Sequence, residues 1–267
     1  MEQGFVKVAS ATPRIRVADP VYNAQVICEQ AKEAAEHGAK IVVFPELCIT
    51  GYTCNDLFLQ ELLLEKAKEA LLTIAEETGQ LETLFLVGLP VDKDGRLYNV
   101  AAVLYRGRIL GMIPKKNIPM YAEFYEGRHF TPGEETVTEY RLGKQVIPFG
   151  SNLLFRCEEL PELILGCELC EDLWVAEPPS TSHALMGATV IANLSASNET
   201  VSKDDYRTLL IKASSARLLC GYIYTSAGEG ESTQDLVFGG HDLIAENGTL
   251  LVQSARFTTG ILYTDLD

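Results

Sequence analysis

The sequence predicts an α/β layered domain. Apolar runs of strand length alternate with longer segments that carry apolar residues at helical spacing, a pattern typical of sheets covered by helices. Glycines and capping residues lie between these segments. The chain has 267 residues, 47% of them apolar, which is enough for one large hydrophobic core. We therefore expect a single domain over residues 1–267.

The first part of the chain predicts two strands and two helices in alternation. Residues 5–9 form an apolar run of strand length, and residues 19–36 follow it with apolar side chains at helical spacing. Gly38 ends that helix before a second strand at residues 40–44. A second helix is predicted from Asp56, which could cap it, to Glu77, with Gly79 just beyond its end.

The next strands are predicted at residues 84–88, 99–105 and 108–113. A two-residue turn, Arg106-Gly107, joins the last two as a hairpin, so the sheet should be mixed. Residues 129–150 are poor in periodic apolar positions and contain several prolines and glycines. We interpret them as an irregular excursion within the domain.

The second part of the chain repeats the alternation. Strands are predicted at residues 152–155, 163–167, 189–193 and 222–225, with a short helix at 182–186. Ser202 could cap a long helix that runs to residue 219. The predicted elements end with a hairpin of residues 241–244 and 250–253 across Glu246-Asn247-Gly248.

The charge of the chain argues against nucleic acid and anionic membranes as partners. Lys and Arg number 22 against 37 Asp and Glu, a formal net charge of -15, which repels phosphate groups. No apolar run reaches 18 residues, and the first residues lack the features of a signal peptide. We expect a cytoplasmic protein.

The seven cysteines do not resemble a disulfide framework, because their number is odd and the chain is long. One Cys-x-x-Cys pair, Cys167 and Cys170, is weak support for a zinc or redox site, so we expect no metal. A cysteine–histidine pair is a further alternative. The four histidines, however, lie outside any motif that would supply a third, orienting group: His37, His129, His183 and His241.

Three residues that could do chemistry follow predicted strands: Glu46, Lys115 and Cys170. Open α/β sheets gather their reactive groups at strand ends. A cysteine attacks only as a thiolate, so Cys170 needs a base, for which Glu46 is suitable. Lys115 could stabilise an oxyanion together with the backbone N–H of Glu171. Each residue alone has a structural explanation, but together they favour covalent cleavage of an amide.

Longer motifs surround these residues, and through them the chain resembles the carbon–nitrogen hydrolase (nitrilase) superfamily. The resemblance is narrower to the glutaminase domain of glutamine-dependent NAD synthetases. It rests on FPELCITGYTCNDLF (44–58), PKKNIPMYAEFYEGRHF (114–130), VIPFGSNLLF (146–155), GCELCEDLWVAEPPS (166–180), NLSASNE (193–199) and QDLVFGGHDLIAENG (234–248).

This resemblance implies a nitrilase-like α-β-β-α sandwich of four layers, completed when two α-β-β-α units pair on oligomerisation. It implies Glu46 as general base, Lys115 as oxyanion-stabilising cation and Cys170 as nucleophile. Glu123 resembles the superfamily's second glutamate, although Glu126 could take that part. The residues that should line a glutamine pocket are Tyr52, Tyr121, Phe124, Glu126, Glu171, Ser197 and Lys203.

The resemblance also implies that two domains of the full protein catalyse different reactions. This domain would hydrolyse glutamine to glutamate and ammonia without a cofactor. A synthetase domain absent from this chain, in cis in the full protein, would use ATP, Mg and deamido-NAD to make NAD. Self-association as a homo-oligomer is expected. Two alternatives stay open: a stand-alone hydrolase of another small amide, and an inactive scaffold.

Overall fold

The computed structural model describes residues 4–231 and 235–267; Gln234, the first residue of one of the motifs, lies outside them. Within these ranges the chain forms fourteen strands in two sheets and four α-helices. No helix in the described part of the chain combines the length and apolar character needed to cross a bilayer.

The larger sheet has eight strands, and its three central parallel strands come from the first half of the chain. Its order is β14-β1-β2-β3-β4-β5-β7-β6. β1, β2 and β3 are parallel, while β4 returns antiparallel and β5 runs antiparallel to β4. The bounds are β1 Val6–Thr12, β2 Ile41–Val43, β3 Leu84–Lys93, β4 Arg96–Tyr105, β5 Arg108–Pro114, β6 Thr138–Leu142, β7 Gln145–Phe149 and β14 Gly260–Leu266.

The smaller sheet has six strands in the order β13-β12-β11-β10-β9-β8. Its three central strands, β9 to β11, are parallel, so their carboxyl ends share one edge. The bounds are β8 Phe155–Arg156, β9 Ile164–Leu169, β10 Val190–Ser195, β11 Gly221–Ser226, β12 Leu243–Glu246 and β13 Thr249–Gln253.

The helices cover the outer faces of the two sheets. α1 (Pro20–Glu36) and α2 (Glu61–Glu77) pack on the larger sheet, and α3 (Pro179–Leu185) and α4 (Lys203–Leu218) pack on the smaller one. Asp19 caps α1 by accepting a hydrogen bond from the N–H of Tyr22. A separate apolar core fills the space between the sheets, with side chains such as Val43, Val103 and Ala192.

The predicted α-β-β-α order of four layers is confirmed. All four layers come from one chain, so the layering itself does not depend on the pairing of two units that we expected. The two sheets face each other within the chain because alternate side chains of β2, β4, β9 and β10 point into the shared core.

Several details of the predicted elements are wrong, among them the strand at residues 152–155, of which only Phe155 lies in a strand. The second helix begins at Glu61 rather than Asp56, because a 3₁₀ helix, Tyr52–Leu59, precedes it. The region 129–150 contains the hairpin of β6 and β7. The C-terminal strand β14 was not predicted. Ser202 occupies the N-cap position of α4 with a left-handed φ of 64°, and its side chain makes no capping hydrogen bond.

Gly88, in β3, is required by the turn that carries Glu46. A Cβ at this position would lie 2.3 Å from the N atom of Leu47 and 2.6 Å from the O atom of Pro45, both backbone atoms. We expect Gly88→Ala to lower the free energy of unfolding by about 3 kcal/mol, measured by urea denaturation. The control Gly95→Ala meets nothing within 4 Å and has only its left-handed φ of 72° to accommodate. That control should lose about 1 kcal/mol, and equal losses in the two variants would contradict the prediction.

Candidate active site

The ends of four strands from both sheets meet at one edge of the sandwich. Glu46 lies three residues after β2, and Lys115 directly follows β5. Cys170 directly follows β9 in the opposing sheet. The N–H of Glu46 donates to the carbonyl of Ser195, the last residue of β10, at 3.3 Å, which joins the two sheets at this point. The three side chains predicted from the sequence are thus brought to a common edge.

Lys115 lies between two carboxylates inside the protein. Its Nζ is 2.6 Å from Oε1 of Glu46 and 2.6 Å from Oε1 of Glu126. The side chains of Lys115 and Glu46 are fully buried. Burial alone would lower the pKa of Lys115, but the charges of Glu126 and Glu46 raise it well above its usual value. The lysine is therefore a fixed, protonated cation.

Glu46 is held by donors on both of its oxygens. Asn99 Nδ2 donates to Oε1 at 2.7 Å, and the N–H of Ala196 donates to Oε2 at 2.9 Å. Burial raises the pKa of the Glu46 carboxyl to about 7, against the opposing effect of Lys115. A carboxyl group with such a pKa can exchange protons near neutral pH, as a general base must.

Asn99 was not identified as a site residue from the sequence. It lies fully buried in the middle of β4, where its Nδ2 contacts Glu46 and, at 3.4 Å, Oε2 of Glu126. The available signal was a lone amide within the apolar run Leu97–Val103. Buried polar groups need partners, so such a residue points to a polar network.

Cys170 occupies a sharp turn between β9 and the 3₁₀ helix Cys170–Leu173. Its φ of 42° is left-handed, a strained conformation that is common at functional sites. The Asp172 carboxylate stabilises this turn by accepting from the N–H of Leu169 at 3.0 Å and from the N–H of Asn117 at 2.8 Å. Asn117 lies two residues after Lys115, so Asp172 connects the cysteine turn to the lysine segment.

The Cys170 thiol is protonated at rest. Burial raises its pKa, the negative charge of Glu46 raises it further, and Lys115 lowers it. A protonated thiol is a poor nucleophile, so attack requires transfer of its proton to a base. The arrangement supplies a base with a raised pKa, a permanent cation and a thiol, which is the set needed for acyl transfer through a thioester.

The second glutamate beside Lys115 is Glu126 rather than Glu123. Glu126 lies in the 3₁₀ helix Glu126–Arg128, is 5% exposed, and makes the contact with Lys115. Glu123, three residues earlier, instead accepts a hydrogen bond from Asn198 Nδ2. Of the two candidates for the second glutamate, Glu126 is therefore the one that contacts Lys115.

A pocket of about 450 Å³ opens onto Cys170. Glu123 and Trp174 line this pocket. Most of the residues expected to bind substrate line it as well: Tyr121, Phe124, Glu171, Ser197 and Lys203. The hydroxyl of Tyr121 donates to both oxygens of Glu171, at 2.9 and 3.1 Å. The pocket thus combines aromatic walls with charges of both signs.

Residues 7–267 match the carbon-nitrogen hydrolase family, which is nearly the whole chain. The chain belongs to the carbon-nitrogen hydrolase family. Among solved structures, a glutamine-dependent NAD(+) synthetase from Cytophaga hutchinsonii superposes with a TM-score of 0.89 at 28% identity, over 98% of this chain and 43% of that chain. An amidase from Nesterenkonia sp. has a TM-score of 0.76 at 22% identity, over 98% of this chain and 90% of that chain. This second match shows a similarity of fold.

Two relatives in sequence carry the same name as the first of these structures. The glutamine-dependent NAD(+) synthetase of Mycobacterium bovis is 43% identical over 260 residues, 97% of this chain and 38% of the relative. That of Aquifex aeolicus is 31% identical over 252 residues, 94% of this chain and 40% of the relative. This carbon-nitrogen hydrolase chain thus spans about two fifths of the length of these relatives.

Tyr52 and Glu126 do not line the Cys170 pocket of this carbon-nitrogen hydrolase, although both were expected to bind substrate. The Tyr52 hydroxyl donates to Oε1 of Glu126 at 2.8 Å, and both residues line a second cavity of about 200 Å³, which shares Glu123 with the first. The structure therefore gives Tyr52 a contact with the charged network rather than with the predicted substrate pocket.

Within the described residues, no group of three or more His, Cys, Asp or Glu side chains could hold a metal.

Proposed function

We propose that this chain is a glutamine amidohydrolase domain, which releases ammonia from glutamine through a thioester on Cys170. The observation that carries the proposal is Lys115, a buried cation held between Glu46 and Glu126 at the edge where Cys170 lies. The name and the 43% identity of the Mycobacterium bovis relative support glutamine as the amide.

The reaction would proceed in two steps. Glu46 accepts the proton of the Cys170 thiol, and the thiolate attacks the side-chain carbonyl carbon of glutamine. Lys115 and the N–H of Glu171 stabilise the oxyanion, and the protonated Glu46 returns its proton to the departing ammonia. A water molecule, deprotonated by Glu46, then attacks the γ-glutamyl thioester. Glutamate leaves and the Cys170 thiol is restored.

Glu126 would keep Lys115 paired throughout this proton transfer. When Glu46 takes up the thiol proton it becomes neutral, and Lys115 remains paired with Glu126 at 2.6 Å. Lys115 therefore does not become an unpaired buried charge when Glu46 is neutral, which avoids the large cost of desolvating a lone ion. The double contact of Lys115 therefore suits a site whose base changes charge in each cycle.

In the full protein, we propose that the ammonia passes to a synthetase domain outside this chain. ATP, Mg and deamido-NAD would belong to that domain, which would form NAD. The support is the length of the relatives, of which this chain covers about two fifths.

We also propose a cytoplasmic protein that self-associates through this domain. Exposed apolar side chains on and near α3 and α4, such as Leu185 and Leu209, support self-association, and sedimentation analysis tests it.

The decisive experiment uses a glutamine-like electrophile, 6-diazo-5-oxo-norleucine. Intact mass and peptide mapping should give one adduct on Cys170, blocked by excess glutamine and absent from Cys170→Ala. Cys157→Ala, which removes a half-buried cysteine elsewhere in the chain, is the matched control and should label normally. An adduct on another cysteine, or protection by a different amide only, would count against a glutaminase.

The rate of this labelling should depend on pH through Glu46. Burial raises the pKa of Glu46 to about 7, so the residue is protonated, and unable to act as a base, below that pH. We expect the rate constant for labelling to fall as pH decreases through neutrality, whereas an ordinary glutamate would lose its base form near pH 4. The measurement is a time course of labelling, quenched at intervals, between pH 5 and pH 9. A rate constant independent of pH below 7 would be inconsistent with Glu46 as the base.

A further inference from the structure

Asn198 contacts two oppositely charged residues of the Cys170 pocket at once. It lies in the loop between β10 and α4 and is 3% exposed. Its Oδ1 accepts a hydrogen bond from Lys203 Nζ, and its Nδ2 donates to Oε1 of Glu123. An ammonium can only donate and a carboxylate can only accept, so these partners also fix the orientation of the amide.

The backbone of Asn198 is held rigidly. Asn198 forms an antiparallel bridge with Phe238, and Arg207 Nη2 donates to its carbonyl oxygen at 3.3 Å. Arg207 is fully buried on α4, and its Nη1 is also bound to Glu199 at 2.8 Å. The asparagine side chain therefore projects from a fixed point, and the two charges that it contacts have a fixed spacing.

Both charged residues keep capacity for a further partner. Lys203 has three N–H donors and Glu123 about four acceptor positions, and Asn198 occupies one of each. Lys203 Nζ also lies 5.1 Å from the ring centre of Trp174 and 5.6 Å from that of Phe124, which restricts its position. Both rings and both charges line the pocket that contains Cys170.

We propose that Asn198 is a positioning residue, which spaces Lys203 and Glu123 so that they bind the carboxylate and the ammonium of an α-amino acid amide. The proposal rests on the proposed function, because glutamine carries those two charges beyond its reacting amide. Lys203 would bind the α-carboxylate and Glu123 the α-ammonium. An amide that lacks either charge would lose one of the two contacts.

Four ligands test the two charges of glutamine separately. Glutamine carries both, glutaramate keeps the carboxylate and lacks the ammonium, and 4-aminobutanamide keeps the ammonium and lacks the carboxylate. Butyramide has neither. Their dissociation constants are measured by calorimetry on the Cys170→Ala protein, in which hydrolysis cannot occur. We expect glutamine to bind about tenfold or more tightly than either singly charged ligand, as expected for a hydrogen bond to a charged group.

Substitutions then assign each contact. Lys203→Met should abolish the preference for glutamine over 4-aminobutanamide. Glu123→Gln should abolish the preference for glutamine over glutaramate. Asn198→Ala should weaken glutamine binding about tenfold and reduce both discriminations together. Asn198→Asp, nearly isosteric, keeps the bond to Lys203 but repels Glu123, so it should lose discrimination against glutaramate only. Asn152→Ala, a half-buried asparagine outside the pocket lining, is the control and should change neither.

The possible failures are distinguishable. If the Cys170→Ala protein does not bind glutamine, the proposed function fails, and this inference with it. If glutamine binds but Asn198→Ala leaves either discrimination intact, the inference alone is overturned. It is also overturned if Asn198→Ala weakens butyramide as much as glutamine, since that would indicate a general structural role. Circular dichroism establishes that each variant is folded.

Discussion

Glu46→Gln should lower the rate of thioester formation by about 10² to 10⁴, the usual contribution of a general base. Glutamine has nearly the shape of glutamate but cannot accept the proton of Cys170. Because burial raises the pKa of the Cys170 thiol, the thiolate would then be scarce at neutral pH. Labelling of Cys170 by the diazo reagent forms a thioether with loss of N₂, and it measures deprotonation and attack by the thiol without requiring turnover.

The same substitution should cost some stability, for a reason visible in the contacts of Glu46. One oxygen accepts from Lys115 and Asn99, and the other from the N–H of Ala196. A glutamine has one acceptor oxygen, so one of these buried donors loses its partner, which costs about 1–3 kcal/mol. Rates should therefore be normalised to folded protein.

A matched control is Glu77→Gln, which removes an exposed carboxylate paired with Lys32 at 2.7 Å. It should leave the labelling rate unchanged and alter stability by less than about 0.5 kcal/mol. The pH dependence gives a second test, because Glu46→Gln should lose the decline of the rate below neutrality. A Glu46→Gln protein that labels within tenfold of the original rate would exclude Glu46 as the essential base.

The strands that carry the reactive groups could be predicted because each is a short apolar run. Glu46, Lys115 and Cys170 follow such runs, and parallel strands bring their carboxyl ends to one edge. The hairpin of β6 and β7 escaped prediction because only alternate residues are buried, and exposed residues such as Glu139, Arg141 and Pro148 interrupt its apolar positions. β14 escaped for a different reason. It pairs with β1 across the length of the chain, and its middle residues are half-buried.

The details of the site depend on contacts that local sequence does not encode. Glu123 and Glu126 are equally plausible partners of Lys115 in sequence, and only the fold of the segment between them turns Glu126 inward. Tyr52 is directed towards Glu126 by a 3₁₀ helix whose first two N–H groups are bound by Glu231, at 2.6 and 3.3 Å. Glu231 is about 180 residues away in the chain. A motif therefore identified Tyr52 as important, while its partner required the structure.

Lys115→Met should have the largest combined effect, because the proposed mechanism uses this cation and because it pairs with two buried carboxylates. Without it, the carboxylates of Glu46 and Glu126 lie buried beside each other with no opposing charge. Removal of one partner from a buried ion pair costs about 3–5 kcal/mol. The variant should also fail to stabilise the oxyanion, so labelling of Cys170 should fall by at least about 10², in line with the loss of one oxyanion donor.

The loss of stability should depend on pH in a defined direction. In Lys115→Met the Glu46 carboxyl would lose the cation that opposes the effect of burial, so its pKa would lie further above that of a glutamate in the unfolded chain, which is near 4.3. The folded state then binds more protons than the unfolded state, so the free energy of unfolding decreases as pH rises above that value. Urea denaturation at pH 5 and pH 8 should show the larger deficit at pH 8.

The neighbouring Lys116→Met supplies the control for Lys115→Met. Lys116 lies one residue further along the chain, but its ammonium pairs with Glu135 at the surface, where the two side chains are 36% and 54% exposed. Solvent replaces such a contact at a cost of less than about 1 kcal/mol. Lys116→Met should thus keep both the labelling rate and the pH dependence of stability. If the two variants behaved alike, the charge of Lys115 would not be what holds Glu46 and Glu126 together.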